Sequence, residues 1–572
     1  MRFCLITLLY TVAFFAQNPY PKDYFRSPMD IPVYPSGTFG ELRTNHFHAG
    51  LDFRTEQRTG LPVYAAGSGY VSRIRVSSYG YGTALYIDHP NGYTTLYGHL
   101  LHYSPKIEAY VRAKQYEQQV FDIELFPKPG ELTVEKGELI ALSGNSGGSG
   151  GPHLHFEYRD TKTEMIINPL FFGLDKEMKD TKVPNVHGLM VHALTDDAVV
   201  NGSKKPILLS LKLQKDGTYI AEKVYAKGRI GFSLSATDAS TGSSGHNGIF
   251  KVATFINGTA GFGYEFDSFA FAETRYLNNF IDYSRYYSTG QRFQKLFVTT
   301  PYPLTLIKDN TTNGQIEVVG GQTQNFVIEV SDFHGNKRVI NGSIEYSENP
   351  AQVVTEKKIT PYYVKAANDH NFTKDNISVF IPANAFYEDF YMDFDVKDSV
   401  LHLHDPIVPV HTNVVVSFDV KHLSKEVLQK TFIATYNGSR VGYNSSYMED
   451  GKLTAKVRTL GKFKLAQDTN APKIYSPSFA AGKWLSSKET FSVKIGDDLS
   501  GIATFDAWIN GKWALMHYDY KTKTIFHNFS DGIVDDGRND LKITVTDNVG
   551  NSTTFETHFF RTQNKPAVEK DK

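Results

Sequence analysis

Ser143-Gly-Asn-Ser-Gly-Gly-Ser-Gly-Gly-Pro-His153-Leu-His155-Phe-Glu157 is the stretch whose reading decides this chain. A glycine- and serine-rich run ends in a His-x-His pair, and in a strand residues two apart point to the same face. His153 and His155 can therefore address one site together. Much earlier, His48-Ala-Gly-Leu-Asp52 places an imidazole and a carboxylate four residues apart. Two imidazoles and a carboxylate from separate segments are the donor set of a catalytic Zn²⁺, which takes three protein ligands and keeps a fourth position for water. One histidine of the pair can ligate the ion while its neighbour works on the substrate.

A third block, Tyr97-Gly-His99-Leu, stands between them. Asn45-His-Phe-His48-Ala-Gly-Leu-Asp52, this block and Gly-Gly-Pro-His153-Leu-His155-Phe-Glu, in that order, resemble the lysostaphin/LytM-type zinc endopeptidases of peptidoglycan. The resemblance runs from about Gly37 to Leu170. It implies Zn²⁺ as the cofactor, His48, Asp52 and His155 as its ligands, and His99 and His153 as the catalytic pair beside it. Which of those two is the base stays open. No His-Glu-x-x-His helix occurs, so the glutamate base of that zinc-protease design is absent. Histidine must then carry the proton or orient the water, and its ordinary pKa of about 6.5 suits the task.

The implied substrates are the stem and cross-link peptides of peptidoglycan, with D-Ala to diamino acid bonds favoured over a pentaglycine bridge. Two other readings run alongside. One is a catalytically masked or inactive relative that recruits or activates another wall hydrolase, although all five motif positions are filled here. The other is an adhesion or scaffold molecule whose β domains are the functional part.

The remaining histidines are weighed against these. His46 lies two before His48, but the family's spacing to the aspartate selects His48. His89 and His102 lie near motif blocks and match no catalytic position. Leu401-His-Leu-His404 is a second His-x-His, without a partner motif or a glycine run. Glu157 reads as a strand residue or a partner to a ligand. The glycine run has two compatible readings: backbone that a peptide can approach closely, or a flexible loop that delivers His153.

At 572 residues the chain is too long for one ordinary core. Aromatic residues at 13% and dense Asn-Gly and Asp-Gly punctuation favour strands and tight turns. A net charge of -1 gives no electrostatic case for nucleic acid, whose binding is driven by phosphate neutralisation. Arg2, an apolar run and Ala16 form a secretory signal pattern. That run is too short to span a bilayer, so stable membrane insertion is not expected. Cys4 is the only cysteine, so cleavage near Ala16 leaves no disulfide. An exported protein in a bacterial periplasm or cell envelope, or a secreted one, is the expectation.

The fold class expected is mainly β: a small antiparallel β-sheet zinc peptidase domain followed by about three immunoglobulin-like or β-sandwich domains. The organisation is a signal peptide at 1–16, the peptidase at 17–172 with an insertion at about 104–132, a sandwich at 173–350, a β domain at 351–470, a second sandwich at 471–562 and a disordered tail at 563–572. Beyond 173 the reading is β throughout, with the β domains offering surfaces to envelope protein partners. Two stretches rhyme, Asp332-Phe-His-Gly-Asn336 and Asp547-Asn-Val-Gly-Asn551. The acidic turns at Asp238, Asp332, Asp497, Asp498 and Asp547 suit local side-chain to backbone bonding. Ca²⁺ binding is the other reading of them.

Overall fold

The computed structural model describes residues 19–178, 180–241, 247–354 and 358–562. The expected signal peptide and C-terminal tail lie outside the described residues. The chain is mostly β, in antiparallel sheets. Among the described residues no helix is long and apolar enough to cross a membrane.

The first unit is built on seven strand segments and one helix: β1 (Pro35–Gly37), β2 (Leu51–Arg54), β3 (Gly69–Val76), β4 (Ala84–Asp88), β5 (Tyr93–Gly98), α1 (Pro105–Gln118), β6 (Ile123–Leu125) and β7 (His153–Asp160). Their order across the sheet is β1-β2-β7-β5-β4-β3-β6. The last long strand in sequence, β7, thus inserts between β2 and β5. Its central Leu154, Phe156 and Tyr158 are fully buried, as are Val71 and Ile74 of β3, so the sheet is anchored on one apolar face. The two neighbours of β7 are the strands bearing the other motif blocks. Its alternate residues are therefore the ones that can meet them.

A short strand at Ile166–Ile167 pairs antiparallel with Ser268–Phe269, so a strand from the second unit joins the first unit's sheet, while the second unit's own thirteen-stranded sheet is separate. Phe39, Phe47, Ala49 and Ile166 belong to the same apolar core as Phe232, Phe262, Phe266 and Phe269. The segment leading to His48 is consequently pinned from behind by the second unit. The expectation of β structure throughout this region does not hold at Leu277–Phe280 and Tyr283–Thr289, which are helical. Asp282 caps the second by accepting from the Arg285 N–H, and Gly290 closes it in the left-handed region at φ 76°. These helices face the first unit: the Asn278 amide donates to Asn45 Oδ1 at 2.9 Å.

Two further units follow. Residues between His370 and Gln467 form two five-stranded sheets around one core, and residues between Lys473 and Arg561 form two four-stranded sheets around another. The last sandwich returns to the first unit and docks on α1. Tyr116 Oη donates to Asp531 at 2.8 Å, Arg112 pairs with the same carboxylate at 3.4 Å, and Tyr116 packs edge-on to Trp513. Lys521 donates to the carbonyl of Asn145, and Tyr520 packs on Tyr79. The inserted helix is thus a docking surface for the far end of the chain. The glycine-run loop has a β domain at its rim.

Candidate metal centre

Strand register assembles the centre. In the ladders of β7, His155 stands opposite Asp52 of β2 on one side and Gly98 of β5 on the other. Cross-strand partners share a face, so the His155 and Asp52 side chains are directed together. His99 follows immediately after β5, with φ 59°. His48 comes from the loop before β2. Gly50 in that loop has no room for a side chain, because a Cβ would lie 2.9 Å from the His155 ring and against the Phe156 carbonyl.

His48 Nε2, Asp52 Oδ1 and His155 Nδ1 converge. The separations are 3.0 Å for His48 to Asp52, 2.8 Å for His155 to Asp52 and 3.1 Å between the two imidazoles. A tetrahedral ion with arms of about 2.0–2.1 Å has edges near 3.3 Å, so the donors need to part by only tenths of an ångström to take it. The opposite ring nitrogens decide which atoms ligate. His48 Nδ1 lies 2.8 Å from the Thr38 carbonyl, which can only accept, so that nitrogen carries the hydrogen and Nε2 keeps its lone pair. His155 Nε2 donates to Glu157 at 2.8 Å, which leaves Nδ1 for the ion. Such partners fix tautomer and ring orientation in metal sites. Zn²⁺ fits this set of two imidazoles and one carboxylate.

The supporting charges are buried. Burial alone would raise the Asp52 carboxyl, but His48 and His155 hold it well below the ordinary carboxylate range. Arg43 adds a contact at 3.3 Å to Asp52 Oδ2. Burial likewise opposes ionisation of Glu157, yet Arg159, His155 and Tyr81 hold it down to about 2. Arg159 reaches Glu157 at 2.8 Å and the Tyr81 hydroxyl donates to it at 2.6 Å. Arg43, Thr38, Tyr81 and Arg159 were not singled out in the sequence. Their roles depend on contacts across the fold, and only the run of β7 through Glu157 to Arg159 hints at any of them.

His99 and His153 pack beside the three donors, ring centres 4.7 Å apart and planes tilted by 56°. His99 Nδ1 donates to the Ser146 carbonyl at 2.8 Å and His153 Nδ1 to the Gly151 carbonyl at 2.9 Å. Both rings therefore present an Nε2 lone pair. Burial, then the neighbouring imidazoles His155 and His153, lowers the His99 pKa to about 3. Burial also lowers His153. Both are neutral near pH 7 and able to accept a proton.

The glycine run is rigid in its first half. At Gly144 a Cβ would stand 2.5 Å from the Leu101 nitrogen and 2.7 Å from the His99 carbonyl. Gly147 has φ +64° and its backbone lies against the Gly80–Gly82 turn. This close packing holds the Ser146 carbonyl under His99, so a flexible delivery loop does not describe 144–148. Gly150 and Gly151 alone face open space.

The other histidines stay apart from the centre. His46 turns to the Thr44 carbonyl, His89 is buried between Ser68 and Thr95, and His102 is exposed.

The peptidase family M23 model matches residues 46–116, and the Zu5-like domain model matches residues 361–468. An uncharacterized metalloprotease of Haemophilus influenzae is 37% identical over 155 residues, 26% of this chain and 27% of that protein. The DD-carboxypeptidase/endopeptidase Mpg of Neisseria meningitidis is 34% identical over 144 residues, 25% of this chain and 26% of that protein. A zinc-containing peptidase from Vibrio cholerae of known structure is 31% identical, with 24% of this chain and 36% of that chain covered at a TM-score of 0.18. The chain spans about a quarter of the length of the curated relatives it matches. Taken with the donor set and its anchored imidazoles, the sequence matches make the N-terminal unit of this chain similar to peptidase family M23, the lysostaphin/LytM-type zinc metallopeptidases.

Proposed function

We propose that this chain is an exported zinc endopeptidase that hydrolyses peptide cross-links of bacterial peptidoglycan, at bonds between D-alanine and the diamino acid. The observation that carries the reading is the convergence of His48 Nε2, Asp52 Oδ1 and His155 Nδ1 beside two neutral imidazoles. Export rests on the pattern from Arg2 to Ala16, and the bond on likeness to a relative named as a DD-carboxypeptidase/endopeptidase.

His48, Asp52 and His155 hold the ion. When bound, Zn²⁺ supplies a Lewis acid that polarises the scissile carbonyl and brings the pKa of water from 15.7 towards about 7. With their Nδ1 atoms anchored, His99 and His153 would offer Nε2 lone pairs to a water proton. One ring accepts it as water adds to the carbonyl carbon. The imidazolium then returns it to the amide nitrogen as the C–N bond breaks, so proton count and charge balance. Such a positioned acid–base group contributes about 10²–10⁴-fold. The β units would hold this centre on the sacculus or on an envelope partner.

The test is mass spectrometry of soluble fragments after the mature protein, or its His155→Ala variant, meets purified cross-linked peptidoglycan. Dimeric muropeptides converted to monomers by wild type alone are expected, with new termini at D-alanine. No fragments from a zinc-loaded wild type would sink the reading.

A further inference from the structure

A second group of oxygen donors lies at the junction between the peptidase unit and the β unit behind it. Ligand atoms of Asp180, Asp332 and His334 come within 4.8 Å of one another. The same three residues line a cavity of about 30 Å³ with Asp238, closed on the peptidase side by Thr38, Phe39 and Asn168. Asp238 is only 5% exposed, and its Oδ1 has no hydrogen-bond partner among the described residues. Asn247, whose backbone bridges that of Asp238, is 1% exposed and its Oδ1 is also unpartnered. A buried acceptor left without a donor costs about 1–3 kcal/mol and more when charged. The orphaned Asp238 oxygen on the cavity wall calls for a cation.

Local positive charge is scarce. Lys182 donates its ammonium to the Ser240 carbonyl at 3.1 Å. Burial, and then the facing Asp332 and Asp180 carboxylates, push Asp238 up to about 7. The related cluster Asp468, Asp497 and Asp547 in the last sandwich differs. Asp468 accepts from the Asn470 and Ser500 N–H groups, and Asp547 from Val549, Asn551 and the Asn551 amide. Turn formation accounts for those carboxylates. Turn bonds also satisfy Asp332, through the Asn336 N–H and amide, and Asp180, through Lys182 and Thr241. What sets the junction apart is Asp238, whose buried Oδ1 is left without a donor among the described residues.

We propose that Asp180, Asp238 and Asp332 seat a hard divalent cation of the calcium class at this junction. Carboxylate oxygens at high density select Ca²⁺ over the softer ions that imidazole prefers, and exposed His334 stands at the rim. The position has a structural consequence. Gly248, next to Asn247, donates its N–H to Thr38 Oγ1 at 2.9 Å, and the Thr38 carbonyl holds His48 Nδ1. The seat therefore braces the segment that orients a zinc ligand.

The experiment is a calcium titration of the zinc-loaded full chain, by calorimetry and thermal unfolding, for wild type, Asp238→Asn, Asp332→Asn and, as a control, Asp547→Asn. Wild type and Asp547→Asn are expected to bind Ca²⁺ in the range of about 10⁻⁴–10⁻³ M typical of extracellular modules. Their midpoints should rise by roughly 2–4 °C in several millimolar Ca²⁺. Asp238→Asn and Asp332→Asn lose both responses, and Asp238→Asn is no less stable than wild type without calcium, since it removes a repelled charge. Should Asp238→Asn fail to fold, Asp332→Asn carries the comparison. No response in wild type, or an equal one in both junction variants, overturns the proposal, as does loss confined to Asp547→Asn.

Discussion

His153-Leu-His155 and His402-Leu-His404 are the same three-residue pattern in two units, and among the described residues only the first contributes to a group of converging donors that could hold a metal. Both even have an aspartate across the ladder: His155 faces Asp52, and His402 faces Asp395. The difference lies in what surrounds the pair. Asp52 is buried and shares His48 and His155, whereas Asp395 is exposed and tied to Lys374. His155 is held through its far nitrogen by Glu157, which leaves Nδ1 for the ion. His404 has left its strand at φ 52°, and its Nδ1 lone pair is used by the Asp393 N–H at 3.1 Å. A His-x-His pair becomes a metal site when a third donor converges and the spare nitrogens are anchored.

The largest effect expected is from His155→Ala set against His404→Ala. The first should lose bound zinc and fall to background in muropeptide cleavage. The second should match wild type in zinc content and rate; equal losses in the two would erase the distinction. Dialysis against a chelator should likewise silence wild type, with activity returning on Zn²⁺ addition. His99→Ala and His153→Ala come next. Both should retain zinc while turnover falls by about 10²–10⁴-fold, and metal loss in either would move it into the ligand set. Glu157→Gln weakens the anchor of His155 and removes the partner of Arg159, so zinc affinity should drop by roughly 10–100-fold, read by competition with a chromogenic chelator. Smallest is Tyr81→Phe, which deletes one hydrogen bond to Glu157. A loss of about 1 kcal/mol in stability is expected from thermal unfolding, with zinc content unchanged.

Legibility of the site followed sequence distance. His48 and Asp52, Gly98 and His99, and the strand from His153 to Glu157 are each local groups, so spacing and alternation expose them. The glycine run was visible as composition, yet its mechanical role was not. Only the approach of Gly147 to the Gly80–Gly82 turn shows that it fixes the Ser146 carbonyl under His99. The helices at Leu277–Phe280 and Tyr283–Thr289 were missed because an aromatic-rich stretch, Tyr283-Ser-Arg-Tyr-Tyr, suits strands as well. Their helical state depends on the Asp282 cap and on packing beside the peptidase unit.

By itself the sequence determined the donor types, their order along the chain and the β character of the units, because these depend on residue chemistry and on periodicities of a few residues. Tertiary structure alone decided which histidine nitrogen faces the ion, which carboxylates are satisfied by turns and which are left orphaned, and that the last sandwich closes back on α1. Those outcomes depend on hydrogen-bond partners and burial supplied by segments far apart in the chain, and no local pattern specifies the register that brings such segments together.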